Sequence, residues 1–443
     1  MVREDQTPQA ALSQKIEQRE ACVAVLGMGY VGLPLALEFV RGGFPVYGVD
    51  VDRDRVASLN DGASYIPDVT DADVQAAVAT GRFTASADFA VLEEADAVSI
   101  CVPTPLRKTK DPDISYILMA AEEVCSRLRP PQIIVLESTT YPGTTEEILL
   151  PRVQEEKEAH VGENVFLAFS PERVDPGNKV FTTRNTPKIV GGVTDQCTQM
   201  ACQLYRSVLD TVVPVSSARA AEMVKLLENT FRAVNIGLVN EVLLMCEVLG
   251  IDVWEVISAA ATKPFGFMPF YPGPGLGGAC LPVDPHYLSW KLKTLNYHAR
   301  FIELATEVNA SMPPYVVSRI ADALNEDGKA INGSTVLIIG LAYKKDVGDL
   351  RESPALDILK LLSQKGATLW FNDPFVQASP LGEVAATYVE LTPEVLEQCD
   401  CAVVVTDHSV YDYHVLAKHA PLLIDTRNAT KDVPRGVGRV VKL

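Results

Sequence analysis

Cys280 lies in the segment Tyr271-Pro272-Gly273-Pro274-Gly275-Leu276-Gly277-Gly278-Ala279-Cys280-Leu281-Pro282-Val283-Asp284-Pro285. Glycine and proline at this density prevent a helix or strand, so the segment predicts a loop whose backbone can come close to a ligand. Asp284 followed by Pro285 reads as an N-cap and first helical residue, opening an apolar helix through Tyr287, Leu288 and Trp290. The positive end of that helix favours a thiolate just ahead of it, which makes Cys280 a candidate nucleophile. The same pattern also fits a small buried cysteine beside an ordinary cap. Upstream, Lys225, Asn229 and Arg232 stand at i, i+4 and i+7 and share one helix face. That face is either turned to a ligand or a solvated stripe on which Glu222 and Glu228 partner Lys225.

These groups need a scaffold, and alternating strands and helices provide one. Cys22 to Leu26 is a short apolar run followed by Gly27-Met28-Gly29-Tyr30-Val31-Gly32, a helical pattern from Leu33 to Val40, and a second strand, Pro45 to Val49, ending at Asp50. The three glycines suit a tight turn, a close approach to a pyrophosphate, and tight helix-on-strand packing. Asp50, 18 residues after Gly32, suits the adenosine ribose hydroxyls, and its charge repels a ribose phosphate. NAD is therefore the expected cofactor, held by Gly27, Gly29, Tyr30, Val31, Gly32 and Asp50, although Arg53 and Arg55 nearby suit the phosphorylated form. A glycine-rich turn in an ordinary α/β domain is the alternative. Strands at Ala97 to Val102, Gln132 to Leu136 and Val165 to Phe169, with a helix Ser115 to Leu128 between the first two, place Thr104, Thr139, Glu172 and Arg173 just past strand ends, where a doubly wound sheet binds ligands. Each also suits a plain turn or cap.

After a strand at Thr211 to Val215, one long helix is expected from Ser217 to Leu249, with Met223, Leu226, Leu227, Val234, Leu238 and Val242 at helical spacing. Pro313-Pro314 is expected to open the last domain. Strands Thr335 to Ile339, Thr368 to Phe371, Ala402 to Val405 and Leu422 to Ile424 then form a second doubly wound sheet without a dinucleotide fingerprint. Its strand ends carry Lys344, Lys345, Arg351 and Arg427, cations suited to phosphates. The fold class is α/β: two Rossmann-like domains joined by a long central helix and a small helical domain. The expected boundaries are a polar extension over 1–20, an NAD-binding domain over 21–215, a central helical domain over 216–314 and a nucleotide-binding domain over 315–443.

Composition narrows the class. A chain of 443 residues supports more than one core. The nine cysteines are dispersed and only six histidines accompany them, so zinc-ligand spacing is absent and no metal is expected. A net charge of −18 argues against a nucleic-acid surface. No signal peptide or membrane span is read, so the expected setting is the cytoplasm.

With these pieces placed, the chain resembles the UDP-glucose/GDP-mannose dehydrogenase family from about Cys22 onward. The resemblance rests on Gly27 to Gly32 with Tyr30-Val31, Val102-Pro103-Thr104-Pro105, Ser138-Thr139, Ser170-Pro171-Glu172-Arg173, Glu222-Met223-Val224-Lys225 through Asn229, Gly275 to Asp284, and Lys344-Lys345-Asp346 through Arg351-Glu352-Ser353. It implies an NAD-dependent, four-electron oxidation of a sugar-nucleotide C6 alcohol to a carboxylate, the nicotinamide on the first sheet and the nucleotide on the second. It further implies a homodimer, or a higher homo-oligomer, built on the long helix. By position, Cys280 resembles the nucleophile, Lys225 and Asn229 the pair stabilising oxyanion charge, Asp284 the acid near the thiol, and Glu172 the hydrolytic base acting through a water held by Thr139.

Arg55, Thr104, Thr139 and Arg351 join the implied cofactor site. Glu172, Arg173, Val174, Lys225, Asn229, Arg232, Tyr271, Gly275, Tyr343, Lys344 and Arg427 make up the implied substrate site. The loop from Thr262 to Gly275, and Val283, resemble the UDP-N-acetylglucosamine 6-dehydrogenases of bacterial polysaccharide synthesis; Ala279 departs from that branch, which usually carries histidine there. UDP-N-acetylmannosamine is the alternative substrate and UDP-glucose a third. Two other classes fit parts of the pattern. A two-electron hydroxyacid dehydrogenase would need neither Cys280 nor a second nucleotide sheet, and a non-catalytic sensor would have no use for Cys280, Lys225, Asn229 and Asp284 together.

The ribose-facing role of Asp50 has a direct consequence for cofactor choice. Wild type is expected to prefer NAD over NADP, and Asp50→Ala to weaken that preference, measured as the ratio of kcat/KM for the two cofactors. Equal wild-type efficiency with NADP would contradict it.

Overall fold

The computed structural model describes residues 7–107, 111–175, 177–178, 180–278, 280–376 and 384–443. The chain divides into two compact units: Met1–Glu228 with His286–Asn296, and Asn229–Pro285 with Tyr297–Leu443.

The first unit is built on an eight-stranded sheet. Its strands are β1 (Val23–Leu26), β2 (Val46–Val49), β3 (Phe83–Ser86), β4 (Ala97–Ile100), β5 (Gln132–Leu136), β6 (Val165–Phe169), β7 (Lys188–Gly192) and β8 (Val212–Pro214). Their order is β3-β2-β1-β4-β5-β6-β7-β8. Strand β1 pairs in parallel with β2 on one side and β4 on the other, so the order reverses beside it, and the loop after β1 opens at that switch point. The pairing is parallel except at β6 and β7, where Ala168 faces Gly192 and Phe169 faces Gly191 in antiparallel register. Strands β1, β4, β5 and β6 are buried along their whole length. Helices cover both faces of such a sheet, which is why these strands read as unbroken apolar runs.

Several features of this unit are absent from the sequence reading, strand β3 among them, and two bear on how the unit is built. Strand β7 is one; its Ile-Val pair is short and its two glycines weaken any strand signal. The other is a helix at Pro8–Gln18, inside the stretch expected to be a polar extension. Thr7 caps it by accepting from the Ala10 amide at 3.3 Å, and Leu12 and Ile16, four apart, are buried in the core of the first unit. Gln203 also donates to the Ser13 hydroxyl at 2.8 Å.

The second unit holds a six-stranded parallel sheet of β9 (Thr335–Ile339), β10 (Thr368–Asn372), β11 (Thr387–Tyr388), β12 (Cys401–Val404), β13 (Leu423–Asp425) and β14 (Val440–Lys442). The order is β11-β10-β9-β12-β13-β14, again reversing beside the first strand. The expected break at Pro313-Pro314 does not occur, because both prolines lie inside one helix, Arg300–Glu326. A proline in a helix interior costs about 3 kcal/mol or more. The stripe Met312, Val316, Val317, Ile320 and Leu324, all buried in the same core as β9 and β12, offsets that cost.

The long helix spans Ala218–Leu249, and the division between the units falls within it, after Glu228. Its first turns are fastened inside the first unit by Glu222, which is 1 % exposed. That carboxylate accepts from the Gly143 amide at 2.5 Å, the Thr145 amide at 2.9 Å and the Thr145 hydroxyl at 2.7 Å. No described helix is long and apolar enough to cross a membrane.

Burial pushes the Glu222 carboxyl up from 4.5 to about 7, against the three hydrogen bonds that pull it down. A folded-state pKa above the unfolded one adds stability below pH 4.5 that is lost as pH rises through about 7. Glu222→Ala is expected to lower stability by about 3 kcal/mol by stranding buried donors. Glu222→Gln cannot ionise, so wild type should lose ground to it between those two pH values. Thermal unfolding across pH checks both.

Candidate active site

The expected site residues gather in two places, one in each unit. In the first unit they line the strand ends of the eight-stranded sheet. Gly27 has φ +90°, and a Cβ there would stand 2.6 Å from the Cys101 carbonyl oxygen. A Cβ on Gly32 would stand 1.9 Å from the Gly27 carbonyl oxygen, so this glycine permits the helix Gly32–Arg41 to start hard against the loop. At Gly29 nothing lies within 4 Å of an added Cβ. The three glycines thus divide into two needed for the chain's own packing and one facing open space.

Asp50 is 8 % exposed at the end of β2. One of its oxygens accepts from the Met28 amide at 2.9 Å, the other from the Asp52 amide at 3.0 Å, and Arg55 stands 3.8 Å away. A carboxylate offers about four acceptor positions, so both oxygens keep capacity for hydroxyl donors. Arg55 also lies over the Tyr65 ring, whose hydroxyl donates to the Met28 carbonyl at 2.7 Å. Tyr30 is exposed, while Val31 and Thr104 are half-buried.

Further along the sheet, Ser138 after β5 donates to the Val102 carbonyl at 2.9 Å, joining two strand-end loops, and the neighbouring Thr139 is half-buried. Glu172, 8 % exposed, accepts from the Arg173 and Val174 amides, both at 2.8 Å, and from Lys188 Nζ at 3.1 Å. Burial raises its pKa, yet Lys188 and the two amides outweigh burial and leave it below the ordinary carboxylate value. The Arg173 side chain is engaged elsewhere: it pairs with Glu228 at 2.6 Å and donates to the Pro187 carbonyl at 2.7 Å. Lys225 is half-buried on the long helix.

In the second unit the site is organised by the glycine-rich loop. A Cβ on Gly273 would stand 2.5 Å from Arg427 Nη1, one on Gly277 2.6 Å from Tyr343 Cβ, and one on Gly278 2.8 Å from the Tyr343 ring. Gly275, with φ +132°, lies near Pro354. The Gly278 amide donates to the Arg351 carbonyl at 2.9 Å. The loop thus lies directly on the strand-end residues Tyr343, Arg351 and Arg427 of the six-stranded sheet. Arg427 Nε is fixed by the Val405 carbonyl at 3.0 Å, and the Arg351 guanidinium is held by Asp349 at 2.6 Å. Lys344 is half-buried, Arg232 is exposed, and the exposed Tyr271 ring stacks on Trp254 at 6.3 Å.

Cys280 is exposed. Its carbonyl accepts from the Val283 amide at 3.0 Å and the Asp284 amide at 2.8 Å, so Cys280 opens the turn that leads into the helix. The sequence reading makes Asp284 the helix cap; instead Asp284 is the first residue of the helix Asp284–Thr294, 2 % exposed, and accepts from Asn229 Nδ2 at 2.6 Å. The register slips because a turn over 281–283 already winds toward the helix. Ala279 lies outside the described residues.

Three groups of supporting residues escaped the sequence reading. Asn240 accepts from the Gly273 amide at 2.9 Å and donates to Asn309 at 2.9 Å, which donates to the Ala233 carbonyl at 3.2 Å, so two buried amides hold the start of the loop. Asp373 accepts from the Leu341 and Ala342 amides and from His408 Nε2 at 3.0 Å, while His408 Nδ1 accepts from the Asp346 amide at 2.9 Å; both ends of the segment carrying Lys344 are fixed this way. The third group is Glu137 and Tyr205 around Lys188. Asp373, His408 and Glu137 each follow a strand end, and that position is the signal the sequence carries for them.

Comparison with known proteins accounts for both halves. The NAD binding domain of the UDP-glucose/GDP-mannose dehydrogenase family matches residues 21–209, its central domain residues 219–311, and its UDP binding domain residues 337–432. The chain belongs to the UDP-glucose/GDP-mannose dehydrogenase family. It is 35 % identical to a UDP-N-acetyl-D-glucosamine 6-dehydrogenase of Pseudomonas aeruginosa, over 80 % of this chain and 83 % of that one. It is 34 % identical to a UDP-N-acetyl-D-mannosamine dehydrogenase of Methanococcus maripaludis, over 88 % of this chain and 86 % of the relative. Among solved structures it resembles a UDP-D-ManNAc dehydrogenase from Pyrococcus horikoshii, with a TM-score of 0.85 and 31 % identity over 95 % of this chain and 99 % of that one.

The protein is therefore an NAD-dependent nucleotide-sugar dehydrogenase. The residues present fit the cofactor: Gly29 leaves space where a pyrophosphate approaches the backbone, and Asp50 retains acceptors for ribose hydroxyls.

The two kinds of glycine are expected to respond differently to alanine. Gly29→Ala should keep the melting temperature and raise the Kd for NAD on the order of tenfold, about 1.4 kcal/mol. Gly32→Ala should weaken NAD binding and also cost about 1–3 kcal/mol of stability, because backbone must yield. Calorimetric titration beside thermal unfolding separates the two outcomes.

Proposed function

We propose that this dehydrogenase oxidises the C6 alcohol of UDP-N-acetyl-D-glucosamine to the uronic acid in two successive oxidations, with Cys280 as the covalent nucleophile. The observation that carries the proposal is the placement of Cys280: exposed, opening the turn into a helix whose first residue is the buried Asp284, in a loop seated on Tyr343 and Arg427. Bound NAD supplies the hydride acceptor. The helix end favours the thiolate, which adds to an aldehyde and later leaves from a thioester. Lys225 and Asn229 stabilise oxyanion charge, and Asp284, hydrogen-bonded to Asn229, handles the proton near sulfur. Glu172, with Thr139 beside the water, serves as the base for hydrolysis. Lys344 and Arg427 carry the charge suited to the diphosphate, with Tyr343 and Tyr271 alongside.

The 2-acetamido sugar is supported by the relatives, which act on both epimers by name. UDP-N-acetyl-D-mannosamine is the second reading, favoured by the longer match to that relative. A homodimer is supported by the long helix, where Leu227, Phe231, Leu238 and Met245 are exposed apolar residues at near-heptad spacing.

Wild type is expected to form about two NADH per sugar nucleotide with the preferred substrate of the two epimers, Cys280→Ala to make no carboxylate, and Cys280→Ser to stall with about one adduct per chain. Intact-protein mass spectrometry with product chromatography decides it. Normal carboxylate production by Cys280→Ala would remove the cysteine from the chemistry.

A further inference from the structure

Behind Glu172 lies a buried ionic cluster that has no part in the reaction described so far. Lys188 on β7 is 4 % exposed, and Glu137 at the end of β5 is 1 % exposed. The Lys188 ammonium is 2.5 Å from Glu137 Oε2 and 3.1 Å from Glu172 Oε2. Tyr205, from the helix Asp195–Arg206, donates its hydroxyl to Glu137 Oε1, and the Lys188 ammonium lies over the Tyr205 ring at 5.5 Å. Ser99 of β4 reaches the Tyr205 hydroxyl at 3.4 Å, and the Cys101 thiol past β4, kept neutral by burial, also faces the cluster. The Arg173 guanidinium, though next in sequence, is turned to Glu228.

The geometry separates the two oxygens of Glu172. Oε1 accepts two amide hydrogens, from Arg173 and Val174, and both its lone pairs are used. Among the described residues Oε2 accepts from Lys188 alone and keeps one lone pair. A proton taken from water therefore goes to Oε2, the atom on which the cation sits. A carboxylate with a cation of its own is a poor base, because protonation forfeits the ion pair. Here one cation serves two carboxylates and stands closer to Glu137, so one negative charge is left over inside the unit. Proton uptake by Glu172 removes that charge while Lys188 and Glu137 remain paired.

We propose that Glu137 and Lys188 are positioning residues for hydrolysis: by holding one cation between two carboxylates they direct the proton to Glu172 Oε2 and set how firmly it is held. The proposal rests on the reading of Glu172 as the hydrolytic base. In the step it serves, the water oxygen bonds to the acyl carbon as one water proton passes to Oε2. The carbon–sulfur bond then breaks with its electron pair going to Cys280, and the second water proton leaves as the new acid ionises. Burial raises the pKa of Glu137, whereas Lys188 and the two amides hold that of Glu172 below the ordinary carboxylate value, so Glu172 enters the step ionised.

The test follows carboxylate release against pH, by rapid quench and mass spectrometry of the Cys280 adduct, with UDP-N-acetylglucosamine and UDP-N-acetylmannosamine each tried with NAD. Glu137→Gln leaves Lys188 wholly to Glu172, so the acidic limb should move to lower pH and the plateau rate should fall. Lys188→Met leaves two carboxylates without a cation, so the limb should move to higher pH. Lys188→Arg should hold the limb where wild type has it, whatever its effect on rate. The double variant Glu137→Gln with Lys188→Met keeps the net charge of the cluster and removes the repulsion between the two carboxylates, so the limb should move from that of Lys188→Met back toward wild type. A carbon-13 titration of the Glu172 carboxyl, assigned by its loss in Glu172→Gln, should move in the same directions without turnover. Glu172→Gln itself should slow release on the order of 100-fold. Wild-type release by Glu172→Gln would overturn the reading of Glu172. Slow release by Glu172→Gln, with limbs unmoved or moving together in Glu137→Gln and Lys188→Met, would overturn the positioning role alone.

Discussion

The second unit depends on backbone approaching side chain more closely than any Cβ allows. Gly273, Gly277 and Gly278 put main chain against Arg427 and Tyr343 at distances that a methyl group would violate. Everything else there serves this contact. Asn240 and Asn309 hold the incoming strand of the loop, Arg351 accepts its outgoing amide, and the helix that begins at Asp284 receives what the loop delivers. Ahead of Cys280, Gly273, Gly277 and Gly278 hold the loop close against Arg427 and Tyr343, which is how a loop acquires precision.

The first unit faces the opposite problem, since it must keep charge inside. Asp50 and Glu222 are nearly inaccessible, and each is satisfied chiefly by backbone amides. An amide donor stabilises a carboxylate without contributing a countercharge, which leaves the group able to answer to a ligand. Glu137 and Glu172 differ in sharing the Lys188 ammonium, with Tyr205 on Glu137 and two amides on Glu172. Buried ion pairs seldom repay their desolvation as stability, so one placed directly behind a candidate base is more economically explained by what it does to that base.

The limits of sequence reading are set by locality. Strands β1, β5 and β6, the glycine fingerprint and the long helix were legible to within a residue or two, because each is a local pattern of apolar or glycine positions. Strand β7 and the helix Pro8–Gln18 were not. The first is too short and glycine-rich to announce itself, and the second is helical because Leu12 and Ile16 find a partner surface far away in the chain. Pro313-Pro314 misled for a related reason: proline is a local signal of termination, and the buried stripe that overrides it draws its energy from the sheet beneath.

The sequence by itself determined the α/β class, the cofactor and the family, and it supplied the candidates for the chemistry, since these follow from composition, spacing and motif. It could not say that Arg173 would be taken up by Glu228, that Asp284 would begin its helix rather than cap it, or that Lys188 would stand between two carboxylates. Those outcomes were decided by tertiary structure alone. Ion pairs and hydrogen bonds act over a few ångströms between residues far apart in the chain, 55 positions for Arg173 with Glu228 and 68 for Tyr205 with Glu137, and no local pattern records which partner a buried charge will find.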